Sequence, residues 1–336
     1  MIPLLEVECY LVIFTDSICI TKIKEVRDSF KLDHLTHYIL SEFNELTYYY
    51  LNETIKSNRM RYHPTRDERT CSESHLLCCS KFDFVLQSIQ WNPFHTSKFG
   101  WIDSNIRPNF AKICENYNKE MLLHILNHVN EKFHIQILNV CDKKYKLLEH
   151  KKEYYSTYQW VVAGSFFTVG KEIGTSVLTR LNEIFLETTL NGFGHGEEMC
   201  YLEVLDEFYD DIEKSYGDYG QLLNNWLYPT CNLQYIYYFI IKRYLDFGYN
   251  KECYTCCKQV LYSIEELHVS CGPDIYFLTL FAYYISSFYY DQSNTFAILT
   301  HIMDLINVRP LIQVEFEKNK GFYESQFTYG LNLKLI

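Results

Sequence analysis

An α/β domain followed by a smaller all-helical region is the architecture this sequence predicts. Short apolar runs alternate with amphipathic stretches up to about residue 228. From Leu233 onward only helix-period patterns remain. A Tyr-Pro pair at Tyr228-Pro229 stands between the two regions, which are therefore drawn as 1–228 and 229–336. With 336 residues, 48% of them hydrophobic and 22% charged, the chain has the material for a buried core and not the composition of a disordered one.

Tyr10–Phe14 reads as a buried strand with a loop at Thr15-Asp16. Ile23, Val26 and Phe30 follow helical spacing. Residues 31–70 are mixed and polar, ending in the loop-like RYHPTRDERT, and no regular element is assigned there. A helix is expected over Ser72–Trp91, with Leu76, Leu77, Phe84, Val85 and Ile89 facing inward, closed by Asn92-Pro93. Phe99–Asp103 is a strand that ends in an acid; Lys119–Val129 is a helix and His134–Val140 a strand. Trp160–Val162 and Phe166–Thr168 read as two short strands around Ala163-Gly164-Ser165. Lys171–Leu190 and Glu197–Asp210 are amphipathic helices.

In the second region Leu233–Asp246 pairs with Asn250–Ile264, and Asp274–Tyr290 with Ser293–Asn307. Two such pairs, offset by about forty residues, suggest a short TPR- or HEAT-like array, a surface suited to a protein partner. The tail from Arg309 is polar and receives no assignment.

The net charge of −11 disfavours general binding to nucleic acid or to an anionic membrane surface. The 30 tyrosines and 23 phenylalanines, with alanine scarce, match AT-rich codon usage, of the kind found in a large DNA virus or a protist. Thirteen scattered cysteines, an odd number, read as reduced thiols in a cytosol-like compartment. The apolar start carries Glu6, Glu8 and Asp16 and no basic stretch, so it is not read as a signal peptide. The uncharged run Ile275–Tyr290 is at or below the ~17–25 residues of a spanning helix, and a buried helix is expected instead. A cytoplasmic location follows, or a host cytoplasm if the source is viral.

Four constellations could carry chemistry. Asp103, at the carboxyl end of a strand, with Asn105 two residues on, could hold a divalent cation that bridges a diphosphate. The same Asp could simply cap a turn. In Gly192–Glu198 the glycines allow close backbone approach, and Glu197 or Glu198 could serve as base or acceptor-orienting carboxylate, or merely cap a helix. His195 could ligate a metal or donate a hydrogen bond, and Asp218 in Tyr216–Tyr219 is an N-cap candidate. Cys253, Cys256 and Cys257, with His268 and Cys271, carry zinc-ligand residue types, but the first three lie on a helical pattern, where structural zinc knuckles are uncommon. No P-loop, dinucleotide G-x-G-x-x-G, G-x-S-x-G or H-E-x-x-H is present.

Taken in order, LVIFTD (Leu11–Asp16), IKEVR (Ile23–Arg27), the helix bearing Lys81, NPFHTSKFGWIDS (Asn92–Ser104), WVVAGSFF (Trp160–Phe167), GHGEE (Gly194–Glu198) and YGDY (Tyr216–Tyr219) with Asn224 or Asn225 resemble the HtrL/YibB-like (WlaTC/HtrL) family. These are glycosyltransferases of polysaccharide and lipopolysaccharide loci, and the likeness covers about residues 8–228. The resemblance implies a GT-A-like (Rossmann-like) fold and transfer of a sugar from a nucleotide-sugar donor to a glycan or glycoprotein acceptor. It implies a Mn²⁺ or Mg²⁺ ion at Asp103 and Asn105, with Arg27 and Lys81 at the diphosphate. Gly164 and Ser165 would face the donor sugar, Glu197 or Glu198 the acceptor, and Asp218 and Tyr219 the late part of the cleft.

Three departures stand beside it. The family carries a further strand and helix before its LVIFT-like strand. Ser104-Asn105 replaces a commoner Ala-Gly. The helical region after residue 229 is extra. A non-catalytic scaffold that binds a partner through its helices is the alternative the sequence leaves open.

Overall fold

The computed structural model describes residues 2–62, 71–104, 119–157, 159–194 and 196–333. Asn105, His195 and most of RYHPTRDERT lie outside these residues. The chain forms two compact units, Met1–Ser215 with Tyr219–Leu223, and Tyr216–Asp218 with Asn224–Ile336. The architecture is mixed α/β with a helical C-terminal region.

In the first unit a short α1 (Ile2–Leu5) leads into β1 (Leu11–Thr15), α2 (Ile20–Ser29) and β2 (Thr36–Leu40). β1 and β2 pair in parallel, from Leu11 opposite Thr36 to Thr15 opposite Leu40. Parallel neighbours need a crossover, and α2 supplies it. Next come α3 (Asn52–Tyr62), α4 (Ser72–Trp91), β3 (Lys98–Ile102), α5 (Lys119–Asn127), β4 (Phe133–Ile137), α6 (Lys151–Tyr155) and β5 (Val162–Gly170). α7 (Lys171–Leu190), α8 (Tyr201–Glu207) and β6 (Ile212–Tyr216) complete the set. A second sheet has the order β3-β5-β4-β6, with β5 antiparallel to both β3 and β4. The strands thus make two sheets, one of two strands and one of four.

The expected pair of short strands at 160–168 is one strand, β5, interrupted by a bulge. Ile135 pairs with Phe167, but Ile137 pairs with Val162. The surplus residues around Ala163–Ser165 leave regular pairing with β4, a device that re-aims backbone groups beside functional sites. α4 and α7 pack on each other, and Leu76, Cys79, Phe82, Val85 and Ile89 of α4 and Val177, Leu178, Leu181 and Phe185 of α7 are buried in the core. Leu77, expected inside, is half-exposed. The helical period passes the inner face from Leu76 to Cys79 instead. Glu197–Asp210 is a 3₁₀ turn at Glu197–Cys200 followed by α8, not one continuous helix.

Arg27 is fully buried on α2. Its guanidinium donates to the carbonyls of Leu5, Val7, Cys9 and Leu32 and to Thr36 Oγ1, at 2.7–3.3 Å. It ties the N-terminal segment to the parallel pair. These donors are committed to the protein, which corrects the expectation that Arg27 faces a diphosphate.

The second unit contains α9 (Leu233–Ile236), a π turn at Tyr237–Ile241, α10 (Lys242–Asp246), α11 (Asn250–Glu265), α12 (Pro273–Tyr290), α13 (Gln292–Val308), α14 (Pro310–Lys318) and α15 (Lys320–Leu333). Pro273 opens α12 at the position where its missing N–H costs nothing. α12 packs on α11, α13 and α14, and its Phe277 ring meets Tyr323 of α15 edge-on at 4.9 Å. One central helix therefore organises this unit.

The Ile275–Tyr290 run is this buried helix, as expected, and no single described helix is long and apolar enough to cross a membrane. The tail from Arg309, unassigned from sequence, folds as α14 and α15; Ile312, Phe316, Tyr323 and Phe327 bury one side of each. Cys253, Cys256 and Cys257 are fully buried on α11, with Cys253 and Cys257 sulfurs 4.0 Å apart. No group of three or more His, Cys, Asp or Glu side chains spaced to hold a metal occurs among the described residues.

Candidate active site at the bulge of β5

Four separated segments meet at the bulge. Lys81 lies in the middle of α4, Asp103 just past β3, Gly164 in β5, and Glu197-Glu198 in the 3₁₀ turn that precedes α8. The Lys81 side chain is 2% exposed. Its Nζ donates to Glu197 Oε1 at 2.7 Å and to the Gly164 carbonyl at 2.9 Å, and lies 3.5 Å from Asp103 Oδ1. It also sits over the Trp101 ring, 5.8 Å from the centroid. The Gly164 N–H donates to Glu198 Oε1 at 3.0 Å. Both backbone groups freed at Gly164 are thus satisfied by charged or acidic side chains, which is what lets the bulge persist in a buried setting.

Gly164 is required by closeness. A Cβ there would stand 2.8 Å from Glu197 Oε1 and 3.0 Å from Glu198 Cγ. Gly194, in the loop leading to the acids, has φ +122°, a conformation side chains rarely adopt. The loop can therefore turn sharply and deliver two consecutive glutamates to one place.

Asp103 is the open member. Its side chain is 29% exposed, against 12% for Glu197. Its N–H donates to the Ser165 carbonyl at 2.8 Å, which locks the end of β3 to the bulge. Its Oδ1 accepts from Trp101 Nε1 at 2.5 Å. The Ser165 hydroxyl oxygen is buried and has no hydrogen-bond partner among the described residues, an arrangement that natural proteins seldom leave without a use.

The electrostatics sort the three acids. Burial opposes the charge on Lys81, but Asp103 and Glu197 outweigh it and hold the amine well above the ordinary lysine value. Burial would raise Glu197, yet Lys81 more than offsets it and keeps the carboxyl below its ordinary range. Burial, reinforced by the Glu197 charge, pushes Glu198 well above the carboxylate range. Two adjacent acids are thereby driven apart, Glu197 toward the ionised form and Glu198 toward the protonated form.

That split has a measurable consequence. Folding raises the Glu198 carboxyl above its unfolded value near 4.3, so stability is lost as pH rises past that value. The slope is about 1.4 kcal/mol per pH unit until the folded group itself titrates. Glu198→Gln keeps an acceptor for Gly164 N–H and removes the titration. In urea unfolding, the stability difference between variant and wild type is expected to move in the variant's favour between about pH 5 and about pH 7. A difference independent of pH would mean that Glu198 is ionised in the folded protein.

The remaining residues nominated from sequence fall elsewhere. Asp218 belongs to the second unit and Tyr219 to the first; burial raises the Asp218 carboxyl. Asn225 is fully buried, donates to the carbonyls of Tyr216 and Cys231, and accepts from the N–H groups of Thr230 and Cys231. Its polar atoms are spent on holding that loop. Asn105, the second half of the expected metal motif, lies outside the described residues. Trp101 was not singled out as a site residue, although its i, i+2 spacing to Asp103 places both on one side of an extended chain.

No protein-family model, no curated protein and no solved structure matches the chain.

Proposed function

We propose that the chain is a glycosyltransferase of GT-A-like fold, moving a sugar from a nucleotide-sugar donor to a glycan or glycoprotein acceptor. One observation carries this reading: Lys81, Asp103, Gly164, Glu197 and Glu198, nominated from scattered motifs, meet through hydrogen bonds and ion pairs in one place. The place is the carboxyl end of β3, beside the bulge of β5.

A Mn²⁺ or Mg²⁺ ion would find Asp103 as its one open carboxylate among the described residues at this place and would be held mainly by ligand oxygens. Asp103 offers a partly exposed carboxylate, and such ions commonly take one or two carboxylates plus substrate phosphates. A bound ion would stabilise the charge that develops on the departing nucleoside diphosphate. Glu197, held toward its ionised form by Lys81, can accept the proton of an acceptor hydroxyl, whereas Glu198 accepts from the Gly164 N–H and positions it.

A second reading, a non-catalytic scaffold, has its own support. Lys81 is neutralised inside the protein by Glu197 and Asp103, which is also how a purely structural ion cluster is built. The helical unit exposes Phe296, Val308, Leu311 and Phe322, a surface a protein partner could cover. Release of nucleoside diphosphate from a panel of nucleotide sugars, with glycan acceptors present, separates the two. Turnover of one donor supports the transferase. A folded chain that turns over none supports the scaffold.

A further inference from the structure

Away from the bulge, a half-open cavity of about 170 Å³ lies at the carboxyl ends of β1 and β2, lined among others by Phe14, Leu40, Glu45, Asp83, Phe84 and Trp91. Its lining contains two carboxylates and no lysine, arginine or histidine. Both carboxylates are fixed by neutral donors. Asp83 Oδ2 accepts from Thr47 Oγ1 at 2.6 Å and from Gln87 Nε2 at 2.7 Å. Glu45 Oε2 accepts from the Glu42 N–H at 3.0 Å in a capping box. Neither has an ion-pair partner among the described residues. Their negative charge is therefore pre-positioned and uncompensated.

Two further features carry the same sign. Trp91 is the last residue of the 20-residue α4, and the cavity runs along the C-terminal half of that helix, toward the negative end of its dipole. The Trp91 side chain is half-exposed and stacks on no other described ring, so an indole face is open. Phe84 contributes no open face, because Phe14 stacks on it at 4.4 Å and Trp101 at 6.2 Å. An anionic ligand such as a phosphate would meet repulsion here. A cation with an apolar surface would meet carboxylates, a dipole and an aromatic face together, the combination that recognises quaternary ammonium groups.

We propose that this cavity binds a small free alkylammonium cation of the choline type. The proposal is independent of sugar transfer at the β5 bulge, since it uses none of Lys81, Asp103, Glu197 or Glu198. The test is calorimetric titration of the full chain with choline, with 3,3-dimethylbutan-1-ol, in which carbon replaces the charged nitrogen, and with uridine. Choline is expected to bind at least about tenfold more tightly than its neutral isostere. Trp91→Ala and the isosteric Asp83→Asn, each checked for wild-type circular dichroism, are each expected to weaken choline at least about fivefold. Absence of choline binding, equal binding of the isostere, tighter binding of uridine than of choline, or full choline affinity in Trp91→Ala or in Asp83→Asn would overturn the proposal.

Discussion

Lys81→Met is expected to lower the unfolding free energy by about 3–5 kcal/mol, the range seen when one partner of a buried ion pair is removed. The methionine fills a similar volume, so the loss is electrostatic. Glu197 keeps its burial and loses the amine at 2.7 Å that holds it ionised. The Gly164 carbonyl loses its donor as well. Adding Glu197→Gln removes the orphaned charge and is expected to recover part of the loss, giving a coupling of about 1–3 kcal/mol in a double-mutant cycle. Urea unfolding of the four proteins measures this directly. A Lys81→Met variant within about 0.5 kcal/mol of wild type would show that the cluster is solvated rather than buried.

Asp103→Asn separates chemistry from stability. The amide oxygen can still accept from Trp101 Nε1, and Lys81 retains Glu197. The fold is therefore expected to survive with a loss of about 1 kcal/mol, the scale of one hydrogen-bond-strength contact. Turnover of a nucleotide sugar is expected to fall at least about 10²-fold, since removing one strong electrostatic contact to the transition state has that scale. Steady-state release of nucleoside diphosphate is the readout. An unchanged rate would leave Asp103 as a partner of Lys81 and nothing more.

Those two substitutions probe residues that the sequence made visible for different reasons. Asp103 stands where an apolar strand stops, so alternation and a terminal acid sufficed to nominate it. Glu197 and Glu198 were marked by the glycines that precede them. Lys81 was visible only through the family resemblance. A lysine amid a helix normally reads as a solvated face, and its burial depends on acids 22 and 116 residues away, as Asp103 and Glu197 are numbered. Arg27 deceived for the same reason in reverse: a cation suggested an anionic ligand, but its partners are backbone carbonyls.

The elements that escaped were those with mixed composition. β2 carries His37 in a five-residue strand, and β6 reads Ile-Glu-Lys-Ser-Tyr, with two charges between its buried ends. Both are held by pairing with neighbours already in place, a tertiary gain that local propensity does not register. α14 and α15 escaped because apolar, aromatic and polar residues are mixed along both, while the buried positions are only Ile312, Phe316, Tyr323 and Phe327 at helical spacing. By contrast α4 and α7, long and periodic, have the limits that the sequence pattern predicts for them.

The most direct test of the central claim is calorimetric titration of the full chain with nucleotide sugars, once with Mn²⁺ and once with EDTA. The expected result is saturable binding of one donor, dependent on the ion and abolished in Asp103→Asn. A folded wild-type chain that binds no donor with Mn²⁺ present, or that binds one equally well after Asp103→Asn, would contradict it.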